Sequence, residues 1–164
     1  MSRHTQVAGL GELVSGVGPD QVLVCYGLGS CIGLALHDPV AQVGVLAHVV
    51  LPDSSLGRGG KAPPAKYADI AVPAAVAEAA RLGGQPSRLV ARMAGGARMF
   101  PVAGLNGTLD IGARNIEAVR AALAAAGIRL IAEDTGGSYG RTVQFFIDTG
   151  HLVVSTVGRG EHVL

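Results

Sequence analysis

Short runs of apolar residues, separated by turn-forming residues, dominate the pattern along the first third of the chain. Three runs, over residues 21–26, 31–37 and 43–51, are rich in strand-forming residues. Each run ends at glycine, aspartate or proline, which favour turns. The pattern predicts three consecutive strands, and the Asp38-Pro39 turn predicts that the last two form a hairpin.

Two later segments repeat apolar residues every three or four positions, which is the helical period. The first predicts a helix over residues 65–82, and the second predicts a helix that stops at Gly127. Pro73 lies within the first segment, so we expect it either to kink that helix or to occupy the first turn of a shorter one. The apolar positions are Tyr67, Ile70, Ala74 and Ala77 in the first segment and Ile116, Val119, Leu123 and Ala126 in the second.

The rest of the chain alternates between strand patterns and glycine-rich connections. Further strands are predicted over residues 89–94, 128–134, 141–148 and 152–157, with Thr149-Gly150 closing a hairpin between the last two. Residues 52–64 are rich in glycine, serine and proline and predict a surface loop. Since no repeat or linker is visible, residues 1–164 are interpreted as one mixed α and β domain with a largely antiparallel sheet arrangement.

Composition and charge narrow the classes of function. The 164 residues are 49% hydrophobic and 15% charged, with a formal net charge of +1, which is typical of a compact core-rich protein. The balanced charge argues against nucleic acid as a partner, and no apolar run approaches the roughly 20 residues of a membrane helix. The first residues lack a secretory signal, so a cytoplasmic protein is expected.

Glycine-rich and metal-ligand motifs do not explain the sequence. The glycines of residues 27–33 have the wrong spacing for a dinucleotide-binding loop, and GRGGK at residues 57–61 lacks the features of a P-loop. The five histidines are scattered and there are two cysteines, so neither a zinc site nor a disulfide framework is predicted. The sequence therefore predicts no cofactor and no metal.

Cys31 and His48 are the candidate catalytic residues. A thiol is nucleophilic as the thiolate, and a neighbouring imidazole lowers its pKa, so a hairpin that brings His48 beside Cys31 supplies the parts for acyl chemistry. On this interpretation we expect an accessible Cys31 with a lowered pKa. The alternative is that Cys31 is a small buried hydrophobic residue and His48 a core histidine. The residues by themselves leave both interpretations open.

A series of short motifs in a fixed order resembles one known family. The resemblance is to the CheD family, the chemoreceptor glutamine deamidases of bacterial chemotaxis, and it covers nearly the whole chain. Each motif is weak alone, but the ordered series is highly specific. The motifs are Gly27-Leu28-Gly29-Ser30-Cys31, Ala47-His48-Val49-Val50-Leu51-Pro52-Asp53, Lys66-Tyr67-Ala68-Asp69, Gly95-Gly96-Ala97, Ile111-Gly112, Arg114-Asn115-Ile116, Ala132-Glu133-Asp134, Gly136-Gly137 and Gly140-Arg141.

The resemblance implies an α/β fold in which sheets pack together with helices outside, similar to cysteine hydrolases that include toxin deamidases. It implies that Cys31 attacks the side-chain amide of a receptor glutamine and that His48 serves as the base. The turn at Gly29 and Ser30 is then expected to stabilise the oxyanion through backbone N–H groups. The implied partners are the cytoplasmic helical region of chemoreceptors and a CheC-type phosphatase, and the same thioester chemistry would accept a glutamate methyl ester.

Cys25 is the one position where the chain departs from the family pattern, which commonly has a catalytic threonine there. Cys25 is therefore a candidate third catalytic group that orients His48, although a thiol is a weaker hydrogen-bond partner than a hydroxyl. The alternative is a core residue of the first strand. The departure favours a second function, a regulatory binding module with weak or lost catalysis, and a hydrolase of free small amides is a third.

The glycine-rich segments 95–98 and 136–141 also have two interpretations. They are either tight turns or the border of a groove for a protein partner. In the second case Arg98 and Arg141 are expected to contact acidic receptor side chains.

Overall fold

Two five-stranded β-sheets and two α-helices build the protein, as seen in a computed structural model that describes residues 2–57, 60–99 and 110–164. Within these ranges seven of the ten strands and both helices fall close to the segments predicted from the pattern. The strands are β1 (His4–Val7), β2 (Leu13–Val17), β3 (Gln21–Leu28), β4 (Ile32–Asp38), β5 (Val43–Val49), β6 (Val90–Gly95), β7 (Arg129–Thr135), β8 (Arg141–Phe146), β9 (Leu152–Thr156) and β10 (Gly160–Val163), and the helices are α1 (Ala68–Arg81) and α2 (Ile111–Ala125).

The strand pairing is mixed and largely antiparallel, which confirms the predicted fold class. The first sheet has the order β1-β3-β8-β9-β10 and the second has the order β2-β5-β4-β6-β7. Only β1 with β3 and β6 with β7 pair in parallel among the described strands. The predicted β4–β5 and β8–β9 hairpins are both present. The chain crosses from the first sheet to the second at residues 29–31, between β3 and β4.

The core has two parts because β4 and β5 are buried on both faces. Side chains alternate along a strand, so Leu34 and Leu36 point to one face of the second sheet and Ala35 points to the other. The first face packs against α1 and α2, while the second packs against apolar residues of the first sheet such as Phe145. The layers are therefore sheet, sheet and helices, and no helix in the described ranges is long and apolar enough to cross a membrane.

Three strands were missing from the sequence prediction, namely β1, β2 and β10. All three lie at edges of the sheets, and β1 and β10 are mostly exposed. An exposed edge strand does not need an apolar pattern, because its partner strand supplies the hydrogen bonds that hold it. The hydrophobic pattern therefore carried no signal for β1 and β10, whereas β2 is mostly half-buried and its apolar residues were not interpreted as a strand.

The first helix begins later than predicted. The pattern predicted residues 65–82, but residues 65 and 66 instead bond to other segments: Ala65 donates to the Gly11 carbonyl and Lys66 accepts from Leu51. Pro73 is the sixth residue of α1, so it lies beyond the first turn. The predicted loop over residues 52–64 contains a short 3₁₀ turn at Ser54–Leu56, and its residues 58 and 59 lie outside the described ranges.

Candidate active site

Cys31 lies in the bend that carries the chain from one sheet to the other. β3 ends at Leu28, the bend comprises residues 29–31, and β4 begins at Ile32. The Cys31 side chain is half-buried and packs against the core between the two sheets. Just before the bend, Gly27 has a φ of 61°, a conformation that favours glycine, at an irregularity in the β3–β8 pairing. This turn positions the thiol at the edge of the core.

The three carbonyl groups of the bend are all held by hydrogen bonds. Throughout the part of the chain that the structure describes, the N–H groups of residues 29–31 donate no hydrogen bond. A peptide segment whose carbonyls are anchored and whose N–H groups are free can stabilise a negatively charged oxygen. The pairs are Ala97 N with Gly29 O at 2.9 Å, Asn115 Nδ2 with Ser30 O at 2.8 Å, and Gly96 N with Cys31 O at 2.9 Å.

Gly95, at the end of β6, allows the backbone to approach the bend this closely. Its φ is 118°, and a Cβ atom there would overlap the carbonyl oxygen of Cys31. Gly136 has a similar φ of 86°, but a Cβ there would meet nothing within 4 Å. Substitution of either glycine would strain the backbone, because both have a positive φ. Only at Gly95 would the new side chain also collide with the bend.

Replacing Gly95 by alanine is expected to move the bend, because the added methyl group displaces the Cys31 carbonyl. We expect Gly95→Ala to lower the free energy of unfolding by about 1–3 kcal/mol more than Gly136→Ala, the usual cost of overpacking. The rate of Cys31 alkylation by iodoacetamide should change only in Gly95→Ala. Urea unfolding and alkylation measure both effects, and equal behaviour of the two variants would contradict the close approach.

His48 lies in β5, where it is held by the polypeptide segment between β1 and β2. Its Nδ1 lies 3.0 Å from the carbonyl oxygen of Ala8, and its backbone bonds to Gly11 and Glu12. A carbonyl can only accept, so Nδ1 carries the hydrogen and Nε2 of the neutral ring is left with a free lone pair. Nε2 is buried and has no hydrogen-bond partner among the described residues. With Nδ1 donating to Ala8, Nε2 is the ring atom that can accept a proton.

Cys31 and His48 lie on the same face of the second sheet. Gly33 pairs directly with His48, and Cys31 lies two residues before Gly33, so their side chains are diagonal neighbours. Such Cα atoms are roughly 7–8 Å apart, within reach of a long side chain. Gly33 has no side chain between them, and a Cβ there would lie 3.0 Å from Leu28. The strand register thus puts the two residues that the sequence predicted as a pair on one face of the sheet, and their catalytic pairing stays a prediction.

Cys25 is also near, but it does not contact the ring nitrogens of His48 by a hydrogen bond. It is 0% exposed in the core between the sheets. Burial, with a smaller contribution from the neighbouring Cys31, raises the pKa of the Cys25 thiol to about 12. Cys25 was expected to orient His48, but the hydrogen bond that orients the ring runs from Nδ1 to the Ala8 carbonyl. Sequence reasoning missed Ala8 because a backbone carbonyl has no residue-type signature.

The expected lowering of the Cys31 pKa is wrong. Burial raises the pKa of the Cys31 thiol above its ordinary value. An apolar environment disfavours the thiolate, and Nε2 of His48 makes no hydrogen bond to it. Burial therefore favours the neutral thiol at Cys31 in the free protein.

The rate of Cys31 alkylation should accordingly rise with pH throughout the neutral range. We expect the rate constant for iodoacetamide to keep increasing above about pH 8.5, where an ordinary cysteine is half ionised. Mass spectrometry of the Cys31 peptide after timed alkylation between pH 5 and 10 provides the measurement. A plateau between pH 6 and 7 would instead indicate a preformed thiolate and imidazolium pair.

Arg141 is not available to a partner, which corrects the expectation from the sequence. Its side chain is fully buried, lies 3.3 Å from the Asp134 carboxylate and donates to the Gly95 carbonyl at 3.4 Å. Arg98, in contrast, is exposed. The segment 136–141 therefore contributes a buried arginine that contacts Gly95 beside the bend, and Arg141 does not face a partner at the surface.

Comparison with known proteins gives consistent matches over most of the chain. The family model described as "CheD chemotactic sensory transduction" matches residues 50–156. A Symbiobacterium thermophilum protein named "Probable chemoreceptor glutamine deamidase CheD" is 65% identical over 99% of this chain and 98% of its own. The Thermotoga maritima "Chemoreceptor glutamine deamidase CheD" is 49% identical over 96% of each chain. The hypothetical protein YfiH of Bacillus licheniformis superposes with a TM-score of 0.45 and 18% identity, covering 76% of this chain and 50% of that one, too low to support a conclusion.

Proposed function

The chain belongs to the CheD family, and from this we propose that it deamidates glutamine side chains of chemoreceptors, releasing ammonia and leaving glutamate. The names of the relatives supply the substrate class, since those at 65% and 49% identity are named as chemoreceptor glutamine deamidases. The reaction is the hydrolysis of a carbon–nitrogen bond in a protein side chain. It requires a nucleophile, a base and a group that stabilises an anionic oxygen.

A single observation supports the reaction type most strongly, namely the half-buried thiol beside three N–H groups that donate no hydrogen bond to any described residue. Cys31 follows directly on Gly29 and Ser30, whose carbonyls are anchored. In acyl transfer, negative charge develops on the carbonyl oxygen of the substrate, and fixed donors stabilise that charge without reorganising. The arrangement is therefore suited to attack on a carboxamide, with the substrate oxygen directed at this bend.

In the first half of the proposed reaction, His48 Nε2 takes the proton of the Cys31 thiol as the sulfur bonds to the carboxamide carbon. The raised pKa of Cys31 favours proton transfer during attack, because no thiolate is stored in the free protein. The protonated ring then donates that proton to the amide nitrogen. The carbon–nitrogen bond breaks, ammonia leaves, and a thioester remains on Cys31.

In the second half, water replaces ammonia at the site. His48 Nε2 removes a proton from this water, whose oxygen bonds to the thioester carbon, and the carbon–sulfur bond breaks. The proton returns to the Cys31 sulfur, and the product is a glutamate side chain. The Ala8 carbonyl supports both halves, since it keeps the Nδ1 hydrogen in place and so keeps Nε2 as the atom that exchanges protons.

The same thioester route extends the proposal to receptor glutamate methyl esters. Methanol would leave in the place of ammonia, and the hydrolysis of the thioester would be unchanged. Binding to a CheC-type phosphatase remains a separate prediction of the family resemblance. The replacement of the family's threonine by Cys25 is weaker support for a purely regulatory role than the sequence indicated. The Ala8 carbonyl orients His48, so this orientation does not depend on residue 25.

The proposed function is tested with the wild-type protein and a cytoplasmic fragment of a chemoreceptor. We expect ammonia release matched by conversion of defined glutamines to glutamate, detected by mass spectrometry of receptor peptides. Free glutamine in a parallel reaction should not turn over. Turnover of free glutamine alone would indicate a hydrolase of small amides, and binding of the fragment without any turnover would indicate a regulatory module.

A further inference from the structure

Asn115 is a fully buried polar residue of α2 whose side chain ends at the active site. It lies in the fifth position of the helix and is 0% exposed. Its Nδ2 donates to the Ser30 carbonyl at 2.8 Å and to the Val50 carbonyl at 2.9 Å. One amide group thus links the helix to two separate segments of the chain. No other side chain among the described residues donates to either of these carbonyls.

The orientation of the Asn115 amide is determined by its partners. Both partners are carbonyl oxygens, which only accept, so the NH₂ group must face them and Oδ1 must point away. Oδ1 is buried and has no hydrogen-bond partner in the described ranges. A buried acceptor without a partner is unfavourable for stability, which indicates that the residue is retained for the position of the NH₂ group.

The two carbonyls belong to residues that lie close in sequence to the two members of the proposed catalytic pair. Ser30 directly precedes Cys31, and Val50 lies two residues after His48. The Asn115 side chain therefore connects the nucleophile bend to the end of the strand that carries the base. Its hydrogen bonds fix the separation of these segments at a point where β4 and β5 have stopped pairing, since their pairing begins only at Ile32 and Val49.

The helix itself is held firmly enough to act as a support. A Cβ at Gly112 would overlap the Ala97 carbonyl oxygen and lie 2.6 Å from that of Gly96. This packing places the start of α2 directly on the segment whose N–H groups hold the Gly29 and Cys31 carbonyls. Helix α2 thus anchors the bend in two ways, through the backbone of residues 96–97 and through the Asn115 side chain.

We propose that Asn115 is a positioning residue that sets the distance between Cys31 and His48 and the direction of the N–H groups in the bend. This inference extends the proposed deamidation. Asn115 touches neither the substrate nor the reacting atoms. Loss of its two hydrogen bonds releases the Ser30 peptide, so the thiol and the N–H groups move relative to Nε2 of His48.

Asn115→Ala and Asn115→Leu both remove the two hydrogen bonds, and the leucine variant keeps the number and branching of the side-chain heavy atoms. We expect kcat for deamidation of a receptor fragment to fall by about 10- to 100-fold with little change in KM, as for a displacement of about 1 Å in an active site. Val119→Ala is the matched control, since Val119 is buried on the same helix but packs against the second sheet. It should lose stability and keep kcat.

Hydrogen exchange provides a readout that does not depend on activity. The amides of Gly96 and Ala97 donate to carbonyls of the bend, so their exchange reports how well the bend is held. We expect their NMR-resolved exchange to accelerate about tenfold or more in both Asn115 variants and to be unchanged in Val119→Ala. Unchanged exchange in the Asn115 variants would overturn the proposal, and so would an equal loss of kcat in Val119→Ala.

The two proposals fail in different ways. If wild type releases no ammonia from receptor, the deamidase proposal fails, and exchange at Gly96 and Ala97 still decides whether Asn115 holds the bend. If wild type is active and the Asn115 variants exchange and react like wild type, deamidation stands and the positioning role is rejected.

Discussion

The Cys31→Ala variant is expected to release no measurable ammonia from chemoreceptor, while Cys25→Ala retains activity close to that of wild type. Without the sulfur no thioester forms, and the remaining N–H groups and the base act only on direct attack by water. We expect a loss of at least about 10³-fold, because such residual catalysis is far weaker than nucleophilic catalysis. The measurement is ammonia release from a receptor fragment at equal protein concentration.

The matched Cys25 variant separates the nucleophile from its buried neighbour. Cys25 is 0% exposed, and its burial raises its pKa to about 12, so it neither meets substrate nor ionises near neutral pH. Removing its sulfur leaves a small cavity and lowers stability slightly, without touching the bond between His48 and Ala8. A large loss of activity in Cys25→Ala would show that Cys25 acts in catalysis, as the family pattern suggested.

The second large effect is expected for His48→Gln, which should reduce deamidation by at least about 10²-fold. Glutamine keeps a polar side chain of similar length but provides no base near neutral pH. Both the proton transfer from Cys31 and the activation of water depend on Nε2 of His48. The loss should appear in kcat, since the N–H groups that bind the substrate oxygen are unchanged.

His37 offers a control of the same kind in the neighbouring strand. Both histidines are 4% exposed and both bond to a backbone carbonyl, for His37 that of Ile147 at 2.8 Å. His37 lies at the opposite end of β4 from Cys31. His37→Gln should therefore cost comparable stability and leave kcat unchanged. Near-wild-type ammonia release by folded His48→Gln would remove His48 from the mechanism.

The candidate pair itself was predictable from sequence because strands have a regular period. A glycine turn before Cys31 and a predicted hairpin were enough to suggest that Cys31 and His48 meet. The pairing of Gly33 with His48 then puts both side chains on one face. What the pattern did not contain was the sign of the Cys31 pKa shift, since burial depends on residues from both sheets.

The supporting groups were not predictable for a related reason. Ala8 acts through its carbonyl, Gly95 through the absence of a side chain, and Asn115 through two hydrogen bonds that span 85 and 65 positions of the chain. Their residue types carry no chemistry that a motif can signal. Ala8 follows β1, an exposed edge strand that had no apolar pattern.

The sequence by itself determined the buried strands, the helices and the candidate reactive side chains, because period and residue type are local properties of the chain. The tertiary structure decided the pairing of the two sheets, the orientation of His48 by Ala8 and the anchoring of the bend by residues 95–97 and Asn115. These depend on hydrogen bonds and close contacts between segments far apart in the chain, and such contacts exist only once the sheets and helix have packed.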